Sequence, residues 1–348
     1  MLPAKKIAEL KKELDNCQKP VFIYDKDCDG LCSFLLFRKY KGEGTGFPLV
    51  SKSFEESFIK LIKDEEPDKI FFLDIPTVPE HVVETLKVPC VQVDHHLGGE
   101  KVHGLKIFNP RDHKKEDGSP TSAICYNVVK QNEWIAVTGI VADWHITKET
   151  KAFAKKHPNL LDPKIKKPDV AMFESTVGLL GRIFNFILKG KSSDMHKTIK
   201  ALMKIKRPEE ILDQTTEEGA LVYKQYYSIN ERYKEVIIQA EKQVTKEKLI
   251  VIRYSGVRHG EGELSFSSEL SNELLHKYPK KVLIIAREKN EEMKCSLRSG
   301  KTEIRTKLLK ALKGVEGHGG GHDKACGANI KAKDFDLFLR QFKAQLKQ

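Results

Sequence analysis

Three aspartates alternate in the stretch YDKDCDG, at Asp25, Asp27 and Asp29, and Gly30 follows them. That is the opening half of a calcium-binding EF-hand loop. The twelfth loop position, which must supply a bidentate glutamate, falls on Leu36, and an apolar run rather than a helix precedes the loop, so the calcium reading fails. Further along lie Asp74 in FFLDIP, Asp94, His95 and His96 in VDHH, and Asp143 in GIVADWH. Each alone has an ordinary explanation: a helix N-cap for Asp27 or Asp29, a strand end for Asp74, a lysine partner for Asp143. Brought together they need another, because uncompensated burial costs several kcal/mol per ion. Two divalent cations would supply the counter-charge. Mixed carboxylate and imidazole ligands suit manganese, with magnesium or cobalt as alternatives. Two such ions form the usual clamp for in-line attack of water on phosphorus.

A second group sits near the C-terminus, in EGHGGGHDKACG, residues 316–327. Gly319, Gly320 and Gly321 would let backbone N–H groups approach a phosphate closely, between His318 and His322 and near Lys324. Ser296, Arg298 and Ser299, at a strand end, would complete an anion pocket. A plain glycine turn is the competing explanation. HGGG also occurs in esterase oxyanion loops, but the chain has no G-x-S-x-G elbow to accompany it.

The surrounding pattern must position these groups. VFIYD, KIFFLDI and PCVQVDHH read as short buried strands, with another near FPLVSKS, and helical stretches alternate with them up to about residue 110. This is βαβ architecture with a parallel sheet, and it places Asp25–Asp29, Asp74 and Asp94–His96 at strand C-terminal ends, where open α/β sheets bind ligands. From about 121 to 243 the pattern is almost wholly helical, and Asp143 ends the helix WIAVTGIVADWH. Strands resume at KLIVIRYSG, KVLIIAR and EMKCSLRSG, and KDFDLFLRQFKAQLK closes the chain as a helix. The expected fold class is α/β, in two domains: residues 1–215 carrying the parallel sheet with added helices, and a smaller α/β domain at 244–348. A long polar helix, 216–243, connects them.

At 348 residues, two domains are the natural prior. Hydrophobic content of 40% supports proper cores, and 32% charge suits a soluble protein. No apolar run reaches the length of a membrane span. Seven cysteines, without a C-x-x-C pair, imply reduced thiols and a cytoplasmic setting. Cys28 and Cys32 lack the second pair a structural zinc site needs. A net charge of +12, with pI near 9.1, points to a polyanionic partner, nucleic acid above all, or to a lysine-rich surface kept for solubility.

In order and context, DKDCDG, FFLDIP, VDHH and GIVADWH resemble the four motifs of the DHH phosphoesterase superfamily, and SLRSG with GVEGHGGGHDKACGANI resembles its associated DHHA1 domain. Within the superfamily the chain looks most like compact archaeal RecJ-like single-strand exonucleases. Ile23 stands where the short-oligonucleotide and pyrophosphatase branches usually carry histidine. The resemblance implies metal ligation by Asp27, Asp29, Asp74, His95 and Asp143, joined by Asp25, and a place near the scissile phosphate for His96. It fits Asp94 as the group orienting a metal-bound histidine. Asp74, Asp94, His95 and His96 are thus expected to be catalytic, with the smaller domain binding the nucleotide end of the substrate across a cleft. The implied substrate is single-stranded DNA or RNA, cut from one end. A short-oligonucleotide or cyclic-dinucleotide phosphodiesterase, a manganese pyrophosphatase, and a replisome scaffold associated with GINS are the alternatives.

Overall fold

PVFIYD and KIFFL are apolar on both faces, the mark of strands covered from both sides. The computed structural model describes residues 1–50, 54–98, 101–259 and 262–347, and in it the chain divides into two compact units, 1–188 with 193–226 and 189–192 with 227–348.

The first unit runs α1 (Ala4–Asp15), β1 (Pro20–Asp25), α2 (Cys28–Lys41), β2 (Thr45–Leu49), α3 (Glu56–Asp64), β3 (Lys69–Leu73), α4 (Glu80–Leu86), β4 (Cys90–Val93) and β5 (Leu105–Phe108). Helices follow: α5 (Thr121–Val129), α6 (Glu133–Ala142), α7 (Lys148–Lys156), α8 (Pro168–Glu174), α9 (Thr176–Ile187), α10 (Ser192–Lys204) and α11 (Glu209–Leu212). The 25-residue α12 (Glu217–Glu241) is divided between the units. The sheet order is β2-β1-β3-β4-β5, and every pairing is parallel. Alternation splits the strands between two layers. Val21, Ile23, Ile70 and Phe72 join Ile59 and Ile62 of α3 and Val82 and Leu86 of α4 in one core. On the other face Phe22 meets Phe34 and Phe37 of α2, and Tyr24 stacks on Phe34 with ring centroids 4.7 Å apart. Helix α2 is apolar almost all round because it is buried almost all round.

Three sequence expectations need amendment. The edge strand β5 was not expected; its residues LKIF are mostly half-buried and carry little strand signal. The strand placed at FPLVSKS is Thr45–Leu49, and positions 51–53 of that stretch lie outside the described residues. Within the almost wholly helical 121–243 region, AMFESTVGLLGRIFNFILKG reads as one apolar helical stretch but is two helices, α8 and α9, bent by 77° where Ser175 leaves the helical backbone and caps α9 through the N–H of Gly178. Among the described residues no single helix is long and apolar enough to cross a membrane, and all seven cysteines are free and buried.

The second unit contains β6 (Leu249–Tyr254), the small pair β7 (Val257–His259) and β8 (Gly262–Leu264), α13 (Ser267–Lys277), β9 (Val282–Lys289), β10 (Glu292–Ser299), α14 (Arg305–Ala311), β11 (Gly317–His322), β12 (Ala325–Lys331) and α15 (Phe335–Gln345). Its five-stranded sheet is ordered β11-β12-β10-β9-β6, antiparallel except for β6 beside β9. Asn290 and Glu291, both at positive φ, make the tight β9–β10 hairpin. Ile284, Ala286, Met293, Leu297 and Ile330 pack against Leu308, Phe335, Phe338 and Phe342 to form its core.

Candidate functional site

Register brings the acidic groups together. Tyr24 pairs with Leu73, and Leu73 with Val93, so Asp25, Asp74 and Asp94 leave three neighbouring strands side by side. Asp27 caps α2, accepting from the N–H of Gly30 at 2.9 Å, which puts Asp29 in that helix's first turn. Asp74 has φ +63°, and its N–H is held by the carbonyl of Val93. Asp143 is the C-cap of α6.

These side chains and two histidines form one cluster. Oxygen and nitrogen atoms of Asp25, Asp27 and Asp74 lie within 4.8 Å of one another, as do those of Asp29, His95 and Asp143, and those of Asp74, His95 and His96. His95 Nε2 is 3.4 Å from Asp74 Oδ1 and 3.7 Å from Asp143 Oδ2. Its Nδ1 faces the carbonyl of Gly118 at 3.2 Å, so the ring donates there and turns its lone pair toward the carboxylates.

Asp94 orients a histidine, and that histidine is His96: its carboxylate takes the N–H of His96 at 2.9 Å and Nδ1 of His96 at 2.8 Å. The cause is local: Asp94 and His96 lie two residues apart on the turn leaving β4, and the side chain closes that turn on its own backbone. His96 is left with Nε2 for a ligand.

Several contributors were missed. Asp29 is held by the N-terminus of α5: Oδ2 accepts from Thr121 N at 2.8 Å, and Oδ1 from Ser122 N at 3.0 Å and from Ser122 Oγ. The free N–H groups of a helix start favour an anion there. Thr121 Oγ1 also donates to Asp74 at 3.0 Å. The clue was Ser/Thr after Pro120, a helix-start signal with no indication of which carboxylate it serves. Arg111 donates from Nε to the carbonyl of His95 at 2.5 Å and from Nη1 to that of Lys115 at 2.9 Å. Asn109 donates to the carbonyl of His96 at 2.9 Å.

Protonation follows from this crowding. Burial, then the charges of Asp25 and Asp29, pushes Asp27 up to about 7. Burial, then Asp29, Asp27, Asp143 and Asp94, holds Asp74 well above the ordinary carboxylate range. Asp29 is raised by burial and by Asp143. Burial disfavours charged His96, but its bond to Asp94 outweighs that and raises it; Asp143 does the same for His145. Among the described residues no lysine or arginine pairs with Asp27, Asp29, Asp74, Asp94 or Asp143, and Asp143 Oδ2 has only imidazoles near it, His145 Nδ1 at 3.2 Å and His95 Nε2 at 3.7 Å. Carboxylates and imidazoles gathered in this way fit divalent metal.

The second unit gathers other groups. The glycine stretch is not a turn but the edge strand β11. In register, Gly320 pairs with Gly327 and Gly327 with Ser296, while His322 pairs with Ala325 and Ala325 with Arg298. Opposite residues of antiparallel strands share a face. That face holds His318, Gly320, His322, Ser296 and Arg298, with Lys294, Asn329 and Arg287 missed by sequence reasoning. Most of these line a cavity of about 440 Å³. Arg298 donates from Nε to Asn272 at 2.9 Å and from Nη1 to the carbonyls of Leu297 and Cys326. Arg287 Nε and Asn329 Oδ1 are buried there without hydrogen-bond partners. Ser299 does not belong to the group: strand alternation turns it to the opposite face, where it accepts from the N–H of Thr302 at 2.9 Å. Gly319 and Gly321 serve packing, since a Cβ would lie 2.9 Å from Gly327 O and 2.5 Å from Ala325 O respectively. A Cβ on Gly320 would meet nothing within 4 Å.

Residues 20–138 match the model of the DHH family, N-terminal domain, and residues 254–348 that of the DHHA1 domain. Among solved structures the chain is similar to RecJ in complex with Mn²⁺ from Thermus thermophilus, at 14% identity and TM-score 0.68 over all of this chain and 55% of that one. It thus spans about half the length of that RecJ. A DHH domain described as a member of the s1p family of ribosomal proteins gives 11% identity and TM-score 0.71, covering 98% of this chain and 89% of that one. An exonuclease RecJ bound to manganese gives 15% and 0.60, covering 99% and 94%. At such identities the likeness is one of fold. No curated protein matches the chain.

Proposed function

We propose, for a chain that belongs to the DHH phosphoesterase superfamily and carries a DHHA1 domain, that it is a metal-dependent phosphodiesterase degrading single-stranded DNA or RNA from one end. The observation that carries this reading is the convergence of Asp25, Asp27, Asp29, Asp74, His95, His96 and Asp143 at the ends of three parallel strands and one helix.

Asp25, Asp27, Asp29, Asp74, His95 and Asp143 would hold two divalent ions, with Mn²⁺ the first choice by donor type. When bound, the ions make water acidic enough to attack phosphorus and offset charge on the phosphate oxygens. The remaining work falls to protein groups. Thr121 and Ser122 fix Asp29, and Thr121 also fixes Asp74, so the carboxylates are aimed before substrate arrives. Gly118 sets the tautomer of His95. The bond to Asp94 raises the pKa of His96 and so favours the form whose Nε2 can donate to a phosphate oxygen. In the second unit Arg298, Ser296 and the open backbone at Gly320 would take a substrate phosphate. The net charge of +12 favours a long polyanion over a small one.

Product analysis on end-labelled DNA and RNA of graded length, with Mn²⁺, Mg²⁺ or Co²⁺, tests this. Stepwise shortening of long single strands is expected. Cleavage confined to dimers and trimers would move the assignment to the short-oligonucleotide enzymes, and binding without cleavage would make the protein a scaffold.

A further inference from the structure

Helix α6 ends in a Schellman motif. The N–H of Trp144 bonds to the carbonyl of Val141 at 3.1 Å, and the N–H of His145 to that of Ile140 at 3.1 Å. The motif requires a left-handed residue between the cap and His145, a position that glycine usually fills. Here it is a tryptophan, at φ +62°. Lys87 and Lys130 adopt the same conformation at the ends of α4 and α5, but both are exposed lysines. A half-buried indole gains nothing comparable for its steric strain, and strain of this kind collects at functional sites.

The position of Trp144 suggests what the strain serves. Trp144 lies between Asp143, whose Oδ2 is 3.7 Å from His95 Nε2, and His145, whose ring centroid is 6.4 Å from that of His95. The break at Ser175 ends α8 so that Phe173 meets the indole, with centroids 5.8 Å apart and planes inclined by 55°. The guanidinium of Arg182, in the second turn of α9, lies 6.0 Å from the centre of the Phe173 ring. Trp144, flanked in sequence by Asp143 and His145, is thus joined by a second aromatic ring and an arginine, all within the first unit.

We propose that Trp144, backed by Phe173, is a stacking platform for a nucleobase of the strand whose phosphate lies at the metal centre. Resting on the nuclease reading above, the inference adds a base-binding subsite to it. Aromatic rings stack on any base, so the platform gives affinity and register with little sequence preference.

The test uses the full-length protein with Mn²⁺ and two phosphorothioate-linked probes of equal length, oligothymidylate and an abasic strand. Tryptophan fluorescence should be quenched by oligothymidylate and not by the abasic strand. Trp144→Gly keeps the helix cap, and its melting temperature, checked alongside, should stay near that of the parent protein. It should bind oligothymidylate about 5- to 150-fold more weakly, the range for loss of one base–aromatic stack, and the abasic strand as before. Trp144→Phe should recover most of the affinity. Equal binding of oligothymidylate by the parent protein and Trp144→Gly, or an equal loss for both probes, would overturn the platform while leaving the nuclease reading intact. Failure of the parent protein to bind either probe would overturn both.

Discussion

Removing metal should leave a protein whose stability falls as the pH rises, and the site's carboxylates set the size of the effect. Asp27 moves from an ordinary 3.8 to about 7 on folding, and Asp29 and Asp74 move the same way. A carboxylate with a raised folded pKa binds a proton in the native state that the unfolded chain has already released. Stability is then lost as pH climbs from the unfolded value through the folded one. The raised pKa values of His96 and His145 act in the same direction. Glutamates with lowered pKa values, such as Glu9 at about 2, are mostly ionised in both states above pH 5 and add only a small opposing slope in that range. One proton's difference from pH 5 to pH 7 amounts to about 3 kcal/mol at 1.36 kcal/mol per unit, or roughly 6–12 °C in melting temperature for a unit of this size. Both tryptophans, Trp134 and Trp144, lie in the first unit, so tryptophan fluorescence follows its melting. In chelator the melting temperature should fall between pH 5 and pH 7, and Asp27→Asn should flatten part of the slope. With Mn²⁺ the order should reverse, because the ions displace the protons and bind more tightly as pH rises. A chelated protein whose melting temperature is level or rises over this interval would refute the reasoning.

Asp74→Ala removes a carboxylate shared by two of the candidate metal groupings, and hydrolysis of single strands should drop on the order of 100-fold or more in a Mn²⁺ assay. Arg298→Lys should weaken substrate binding nearly as much as Arg298→Ala, about 10- to 100-fold, because a lysine cannot hold Asn272 and two carbonyls while presenting a planar fork; manganese affinity by calorimetry should not change. Gly321→Ala, at φ +135° and with its Cβ 2.5 Å from Ala325 O, should destabilise the second unit by about 1–3 kcal/mol in a denaturant melt. Gly320→Ala should leave stability unchanged while reducing affinity for strands, since its Cβ would enter open space on the face that holds Ser296 and Arg298.

The parallel sheet and its acidic edge could be read in the sequence because three strands are mostly apolar and stop at aspartate. Burial on both faces leaves few other readings for VFIY, KIFFL and CVQV. The carboxylates follow directly, so their position depends only on where each strand ends. What escaped depends on partners remote in sequence. Nothing in LKIF signals that it will pair with β4. Asp29 meets Thr121 and Ser122 across 92 and 93 positions. Asp94 and His96 were both identified, but not their pairing, because motif spacing gives the order of residues and not which imidazole a carboxylate turns toward. Ser299 failed for a simpler reason: it is one residue from Arg298, and on a strand one residue changes face.

Two residues in or next to the carboxylate cluster along the chain, Asp74 and Trp144, lie at positive φ, and their difference in type separates necessity from use. Asp74 turns the chain sharply after β3, bonding Val93 through its N–H. Aspartate enters this conformation more readily than most residues, since its short polar side chain can bond locally. At Asp74 one residue therefore meets both demands, the turn and a place in the carboxylate cluster. Trp144 has no such match. Its backbone position suits glycine and its ring is costly there. If the helix end alone mattered, glycine at 144 would serve as well and melt no lower. A stability measurement on Trp144→Gly thus isolates what the indole contributes to the fold, and whatever the same substitution costs in strand binding beyond that belongs to the site.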